Sequence, residues 1–115
     1  MIIYHNPRCS KSRQTLALLR ENGIEPEIVE YLKNPLSSRE IEELILKLGE
    51  SSNHIIRVKE ALFKQLGLRG KELTLEETCS LLAENPRLIE RPIVVSGSLA
   101  VLGRPPENVL SLLPS

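Results

Sequence analysis

The chain has 115 residues, enough for one domain with its own core, and its 15 basic residues balance 15 acidic ones. No global field therefore exists to hold nucleic acid or an anionic membrane surface. The aromatic residues Tyr4, Tyr31 and Phe63 are too few for a base-stacking platform, and no apolar run approaches the ~20 residues of a membrane-spanning helix.

Met1-Ile2-Ile3-Tyr4 is β-prone and occupies the place of a signal peptide, so the chain reads as cytoplasmic. Asn6-Pro7 then signals a turn, and from Ser12 onward Leu16, Ala17 and Leu19 recur at helical spacing. Cys9 thus falls at or just before a helix N-terminus, where unpaired backbone N–H groups and the positive end of the macrodipole favour a thiolate over a thiol. His5, Arg8, Lys11 and Arg13 add positive charge that acts in the same direction. The expectation is a thiol ionised near neutral pH in a pocket suited to oxyanions, with the helix N-terminus itself supplying anion contacts.

Asn22-Gly23 stops this helix, and Glu27-Ile28-Val29-Glu30-Tyr31-Leu32 alternates as a half-buried strand that ends at Asn34-Pro35. Strand, helix and strand within about thirty residues form a βαβ unit with two parallel strands. From 36 to 86 only helical signals follow. Ser37 with Glu40 forms a capping box ahead of Ile41, Leu44, Ile45 and Leu48, closed at Gly49. Ser51-Ser52-Asn53 caps a second helix carrying Ile55, Ile56, Leu62, Phe63 and Leu66, so Arg57 reads as a residue on an amphipathic helix and His54 as one on its surface. Thr74 with Glu77 opens a third helix, on which Leu75, Cys79 and Leu82 share a face. Cys79 is therefore read as a buried packing residue, and pairing with Cys9 as a minor alternative.

Strands return with Ile93-Val94-Val95 and Leu99-Ala100-Val101-Leu102 around Ser96-Gly97-Ser98, a β-hairpin signal. Pro105-Pro106-Glu107 begins a last helix with Val109, Leu110 and Leu113 directed inward. The order β-α-β, helical block, β-β-α predicts one α/β (α+β) domain over 1–115. It is a thioredoxin-like mixed four-stranded sheet flanked by helices, with a helical insertion at about 36–86.

His5-Asn6-Pro7-Arg8-Cys9-Ser10-Lys11-Ser12-Arg13, Gln65-Leu66-Gly67-Leu68, Arg91-Pro92-Ile93-Val94-Val95 and Gly103-Arg104-Pro105 together resemble the glutaredoxin-coupled arsenate reductase family in order and spacing. The likeness covers essentially the whole chain. It implies that Cys9 is the nucleophile, that His5 favours its thiolate, and that Arg57, Arg91 and Arg104 contact a tetrahedral oxyanion. Taken alone, Arg57 reads equally as a solvated helix residue, Arg104 as a loop residue at the sheet's rim, and His5 as a strand-end histidine. Arginine rather than lysine suits a dianion because its guanidinium is planar, always charged and multidentate.

The implied reaction converts arsenate to arsenite through an adduct on Cys9. Ser12 stands where a second cysteine would complete a Cys-x-x-Cys pair, so the adduct needs an external thiol. The resemblance supplies glutathione as cosubstrate and glutaredoxin as partner, with no bound cofactor, no metal and a monomeric chain. Two rivals share the fold family: an Spx-type transcriptional regulator, which when redox-sensing carries the Cys-x-x-Cys switch lacking here, and a monothiol glutaredoxin-like thiol enzyme. The detoxifying reductases tend to place a small residue before the cysteine, where this chain has Arg8.

Overall fold

The computed structural model describes residues 1–114. Its centre is a mixed sheet of four short strands, β1 (Ile2–Tyr4), β2 (Glu27–Val29), β3 (Ile93–Ser96) and β4 (Leu99–Leu102), in the order β2-β1-β3-β4. β1 pairs parallel with β2 and antiparallel with β3, and β3 pairs antiparallel with β4. The parallel pair is joined by α1 (Ser10–Glu21), the crossover that a βαβ unit requires. The hairpin turns at Gly97, whose φ of 61° lies in the left-handed region that glycine adopts without steric cost.

Alternation along the strands divides the core between the two faces of the sheet. Ile3 and Val94 point to one face, where Leu16 and Leu19 of α1 meet Val109. Ile93, Val95, Ala100 and Leu102 point to the other, against α2 (Ser38–Leu48) and α4 (Leu75–Glu84). Both helices open with the expected capping boxes: Glu40 N–H donates to Ser37 Oγ and Glu77 N–H to Thr74 Oγ1, each at 3.1 Å, with the glutamates answering at the cap N–H groups. Cys79 lies in the second core cluster, buried as its spacing indicated, although Leu75 on the same helix is exposed. Among the described residues, no helix is long and apolar enough to cross a membrane.

Several elements differ from the sequence reading. β2 is three residues long instead of six, because the chain turns back through Lys33 N–H and Asn34 N–H, both bonded to Glu30 O, which sends Tyr31 into the core. Ala17 on α1 is exposed. The expected helix over residues 55–66 is only α3 (Ala61–Gln65), preceded by a 3-10 segment, Gly49–His54. Between them Ile55 still has helical dihedrals (φ −69°, ψ −26°), but the β-branched Ile56 leaves the helix and forms an isolated antiparallel bridge with Ile89. Arg57 thus leaves the end of a bridge, not the face of a helix, with its N–H bonded to Leu88 O at 2.8 Å. The last helix is a 3-10 segment, Pro106–Leu112, whose three-residue period buries Pro106 and Val109 and leaves Leu110 exposed.

Of the glycines, Gly103 alone has other atoms closing on the place of its missing side chain. A Cβ there would stand 2.7 Å from Pro92 Cγ and 2.7 Å from Thr15 Oγ1. Gly103 N–H donates to Pro92 O at 2.8 Å, and Thr15 Oγ1 bonds to Lys11 O at 2.8 Å and more weakly to Gly103 O at 3.3 Å. The end of β4, the start of β3 and the first turns of α1 are held together there. Gly103→Ala is expected to cost about 1–3 kcal/mol by overpacking, measured as a drop in the urea midpoint; an unchanged midpoint would show that the three elements yield freely.

Candidate active site

Cys9 is the N-cap of α1, with extended dihedrals (φ −91°, ψ 124°), and its N–H donates to Asn6 O at 3.0 Å. The turn set by Asn6-Pro7 therefore delivers the thiol to the first turn of the helix. Burial opposes ionisation of Cys9. The backbone N–H groups of Ser12 and Lys11 and the charges of Arg91 and Arg104 outweigh it, and the thiol sits below its ordinary value. Arg104 Nη1 is 3.9 Å from Cys9 Sγ. Cys79 behaves oppositely, since burial pushes its thiol up and the first-turn N–H groups are not there to counter it.

Arg104 and Arg91 are reached from the two strands clamped at Gly103. Arg91 precedes Pro92 and Arg104 precedes Pro105, both through cis peptide bonds. Arg104 Nη1 donates to Arg91 O at 3.3 Å, so the two lie side by side. Nε of Arg91 is the one buried side-chain nitrogen or oxygen among the described residues without a hydrogen-bond partner. A buried, charged N–H left unsatisfied is costly. Arg57, Arg91 and Arg104 line one cleft of ≈ 450 Å³ together with His54, Glu60 and Glu90. Cys9 does not line this cleft, and Arg57 is turned to other partners, its Nη1 bonded to Arg87 O at 3.1 Å and its Nη2 paired with Glu60 at 3.2 Å.

His5 is buried just beyond β1, its N–H continuing the ladder to Val29 O at 2.9 Å. Its hydrogen-bond partner is Ser12, with Nδ1 and Oγ 2.6 Å apart, and Ser12 Oγ also accepts the N–H of Asn6 at 3.1 Å. Burial lowers the imidazole below its ordinary value, with Arg20 and Arg13 adding to the effect against an opposing Glu30. Burial therefore works against a charged imidazole beside Cys9. Ser12 links the two residues: its hydroxyl is bonded to the histidine and its backbone N–H favours the thiolate. Of the other cations in the motif, Arg13 Nη1 donates to Pro7 O at 3.0 Å and Arg8 is exposed.

Three side chains were not singled out from the sequence. The sequence marks Ser12 as the place of a missing cysteine and as part of the backbone N–H run at the helix start, but not for its hydroxyl. Tyr31 lies buried beneath the site, and burial raises its phenol to about 12, with Cys9 and Glu90 adding to the rise and Arg91 and Arg57 opposing it. It stays a neutral wall at working pH. Glu90 sits between the arginines, its Oε1 3.6 Å from Arg91 Nη1 and 3.6 Å from Arg104 Nε, while accepting Arg91 N–H at 3.2 Å. Its only sequence signal was adjacency to Arg91. Among the described residues no group of three or more His, Cys, Asp or Glu is arranged to hold a metal ion.

The depressed Cys9 value has a thermodynamic sign. Thiolate formation contributes fully to folded-state stability above the ordinary thiol value, and that contribution is lost as pH falls through the depressed one. Stability is expected to rise with pH between the two values, and Cys9→Ser to flatten that limb in urea unfolding. Thiolate absorbance should place the Cys9 midpoint below that of free cysteine and move it upward in Arg104→Ala; an unmoved midpoint would remove Arg104 from the account.

The sequence profile of the ArsC family matches residues 4–112. The chain is 49% identical over 112 residues to the uncharacterized protein YfgD of Escherichia coli, covering 96% of this chain and 94% of that one. It is 46% identical over 114 residues to an arsenate reductase of Haemophilus influenzae, covering 98% of each. The solved structure of an arsenate reductase from Vibrio cholerae superposes with a TM-score of 0.89 at 47% identity, covering 97% of this chain and 96% of that one. With the profile spanning nearly the whole chain and the fold shared with such relatives, this protein belongs to the ArsC family.

Proposed function

We propose that the protein reduces arsenate to arsenite, with Cys9 as nucleophile and glutathione as the resolving thiol. The observation that carries the reading is Arg104 Nη1 at 3.9 Å from Cys9 Sγ, with Arg91 alongside and backbone N–H groups on the sulfur's other side. A thiolate and an oxyanion repel each other, and their meeting requires such fixed positive charge. The whole-length likeness to arsenate reductases supports the same substrate.

In this reaction the Cys9 thiolate attacks arsenic(V), and one arsenate oxygen, protonated as it departs, leaves as water. Arg91 and Arg104 hold the remaining oxygens, and Arg57 lines the same cleft. His5 and Ser12 keep the turn in register with the sulfur. Glutathione thiolate then attacks the Cys9 sulfur. The sulfur–arsenic bond breaks with its electron pair passing to arsenic, which leaves as arsenite, and the two thiols are joined in a mixed disulfide. Glutaredoxin takes up the glutathione moiety and restores the Cys9 thiolate. A single domain over 1–115, acting as a cytoplasmic monomer with its helices at about 36–86 as an insertion, suffices for this cycle. The redox-regulator reading has less support, because the position of a second switch thiol holds Ser12, buried and bonded to His5 and Asn6.

Arsenite formation from arsenate with glutathione, glutaredoxin and a recycling system tests the reading. Turnover is expected to vanish in Cys9→Ser and to fall on the order of 10²–10³-fold in Arg91→Ala and Arg104→Ala, as for removed charge-stabilising donors. Turnover that persists without the Cys9 thiol would overturn the scheme.

A further inference from the structure

We infer that Glu90 is a built-in competitor for the oxyanion: its carboxylate occupies the arginine pair that faces Cys9, and an incoming anion must displace it or share its partners, which sets the affinity of the site. This rests on the reading of Arg91 and Arg104 as oxyanion donors.

The geometry distinguishes a competitor from a fixed structural counter-ion. Glu90 Oε1 bridges two guanidinium groups, Arg91 Nη1 and Arg104 Nε, each at 3.6 Å, an ion-pair distance beyond good hydrogen-bond length. The side chains are 22% exposed for Glu90, 16% for Arg91 and 38% for Arg104. At this length the pairs lack the short, aligned charge-assisted bonds that make a guanidinium–carboxylate contact strong. Short charge-assisted bonds from a guanidinium to an oxyanion are stronger, so the anion wins the contest while losing part of its gain to it. The carboxylate is tethered nearby by the Arg91 N–H at 3.2 Å, and Glu90 N–H is itself bonded to Ile55 O. It therefore remains a neighbour of the bound anion and continues to repel it.

The surroundings fit that role. Glu90 and Arg104 both line the ≈ 450 Å³ cleft with Arg57 and also a second one of ≈ 580 Å³ with Glu107 and Asn108, so the carboxylate stands on the wall between two open spaces and has somewhere to swing. Glu60 also bridges two arginines, Arg57 and Arg87, but at 3.2 and 2.9 Å, within hydrogen-bond range. All three candidate arginines are thus matched with a carboxylate. Only Glu90, however, lies on the two that approach the sulfur. The consequence is a site tuned to loose binding, with fast exchange of oxyanion substrate and of competing oxyanions such as phosphate or sulfate.

The test is calorimetric binding of arsenate and of sulfate to the full chain, as the natural protein, Glu90→Gln and Glu90→Asp, with thermal melts confirming that each is folded. Removing the charge while keeping the shape should tighten both anions on the order of ten-fold, and Glu90→Asp should stay near the natural protein. In turnover the gain should appear in KM for arsenate rather than in kcat. Weaker binding in Glu90→Gln would make Glu90 an orienting partner of the arginines and overturn the proposal, as would unchanged affinity or an absence of oxyanion binding in all three proteins. Tighter anion binding without arsenite formation would uphold the role of Glu90 and refute the reductase reading instead.

Discussion

The close approach at Gly103 is the constraint on which the site depends. Cys9 belongs to α1, Arg91 to the entry of β3 and Arg104 to the exit of β4, so nothing local in the sequence joins them. The absence of a side chain at Gly103 lets Thr15 of α1 and Pro92 of β3 close on the same backbone, and the two arginines flank that contact. Each remaining feature follows from this meeting point. The sulfur at the head of α1 faces guanidinium groups one residue away from the clamp, and the aliphatic layers on both faces of the sheet keep the three elements from sliding.

The electrostatics of the sulfur come more from the backbone than from the side chains that crowd the motif. Of the basic residues near Cys9 in sequence, Arg13 turns to a carbonyl, Arg8 is exposed and burial disfavours the charged form of His5. The charges that lower the Cys9 value come from residues more than eighty positions away, acting with two N–H groups of the first helical turn. Counting local cations therefore points to the right direction of shift for partly the wrong reason.

What was legible in the sequence follows the same division. Capping boxes at Ser37 and Thr74, the Gly97 hairpin and the strand-helix turn at Cys9 are set by short-range chemistry, and the structure has them where the residues indicated. The stretch around Ile55-Ile56 was not legible, because β-branched residues spaced like a helix face equally suit an extended bridge, and only Ile89 across the chain decides between them. The candidate arginines were indicated by the family resemblance, Arg91 and Arg104 beside Pro92 and Pro105 and Arg57 ahead of Gln65-Leu66-Gly67. Glu90 and Tyr31 were not, since their importance lies in what surrounds them: two guanidinium groups for one, and burial beneath the sulfur for the other.

The central claim is that one ionised sulfur, Cys9, carries the chemistry and that its resolution comes from outside the chain. Cys79, buried in the core cluster between the sheet and α2 with its thiol pushed up, is poorly placed to take part. The most direct measurement is intact-mass and peptide mapping of the protein quenched after arsenate and glutathione without glutaredoxin. The account predicts a single glutathione moiety on Cys9 and an unmodified Cys79. An internal Cys9–Cys79 disulfide, or glutathione on Cys79 with Cys9 free, would contradict it.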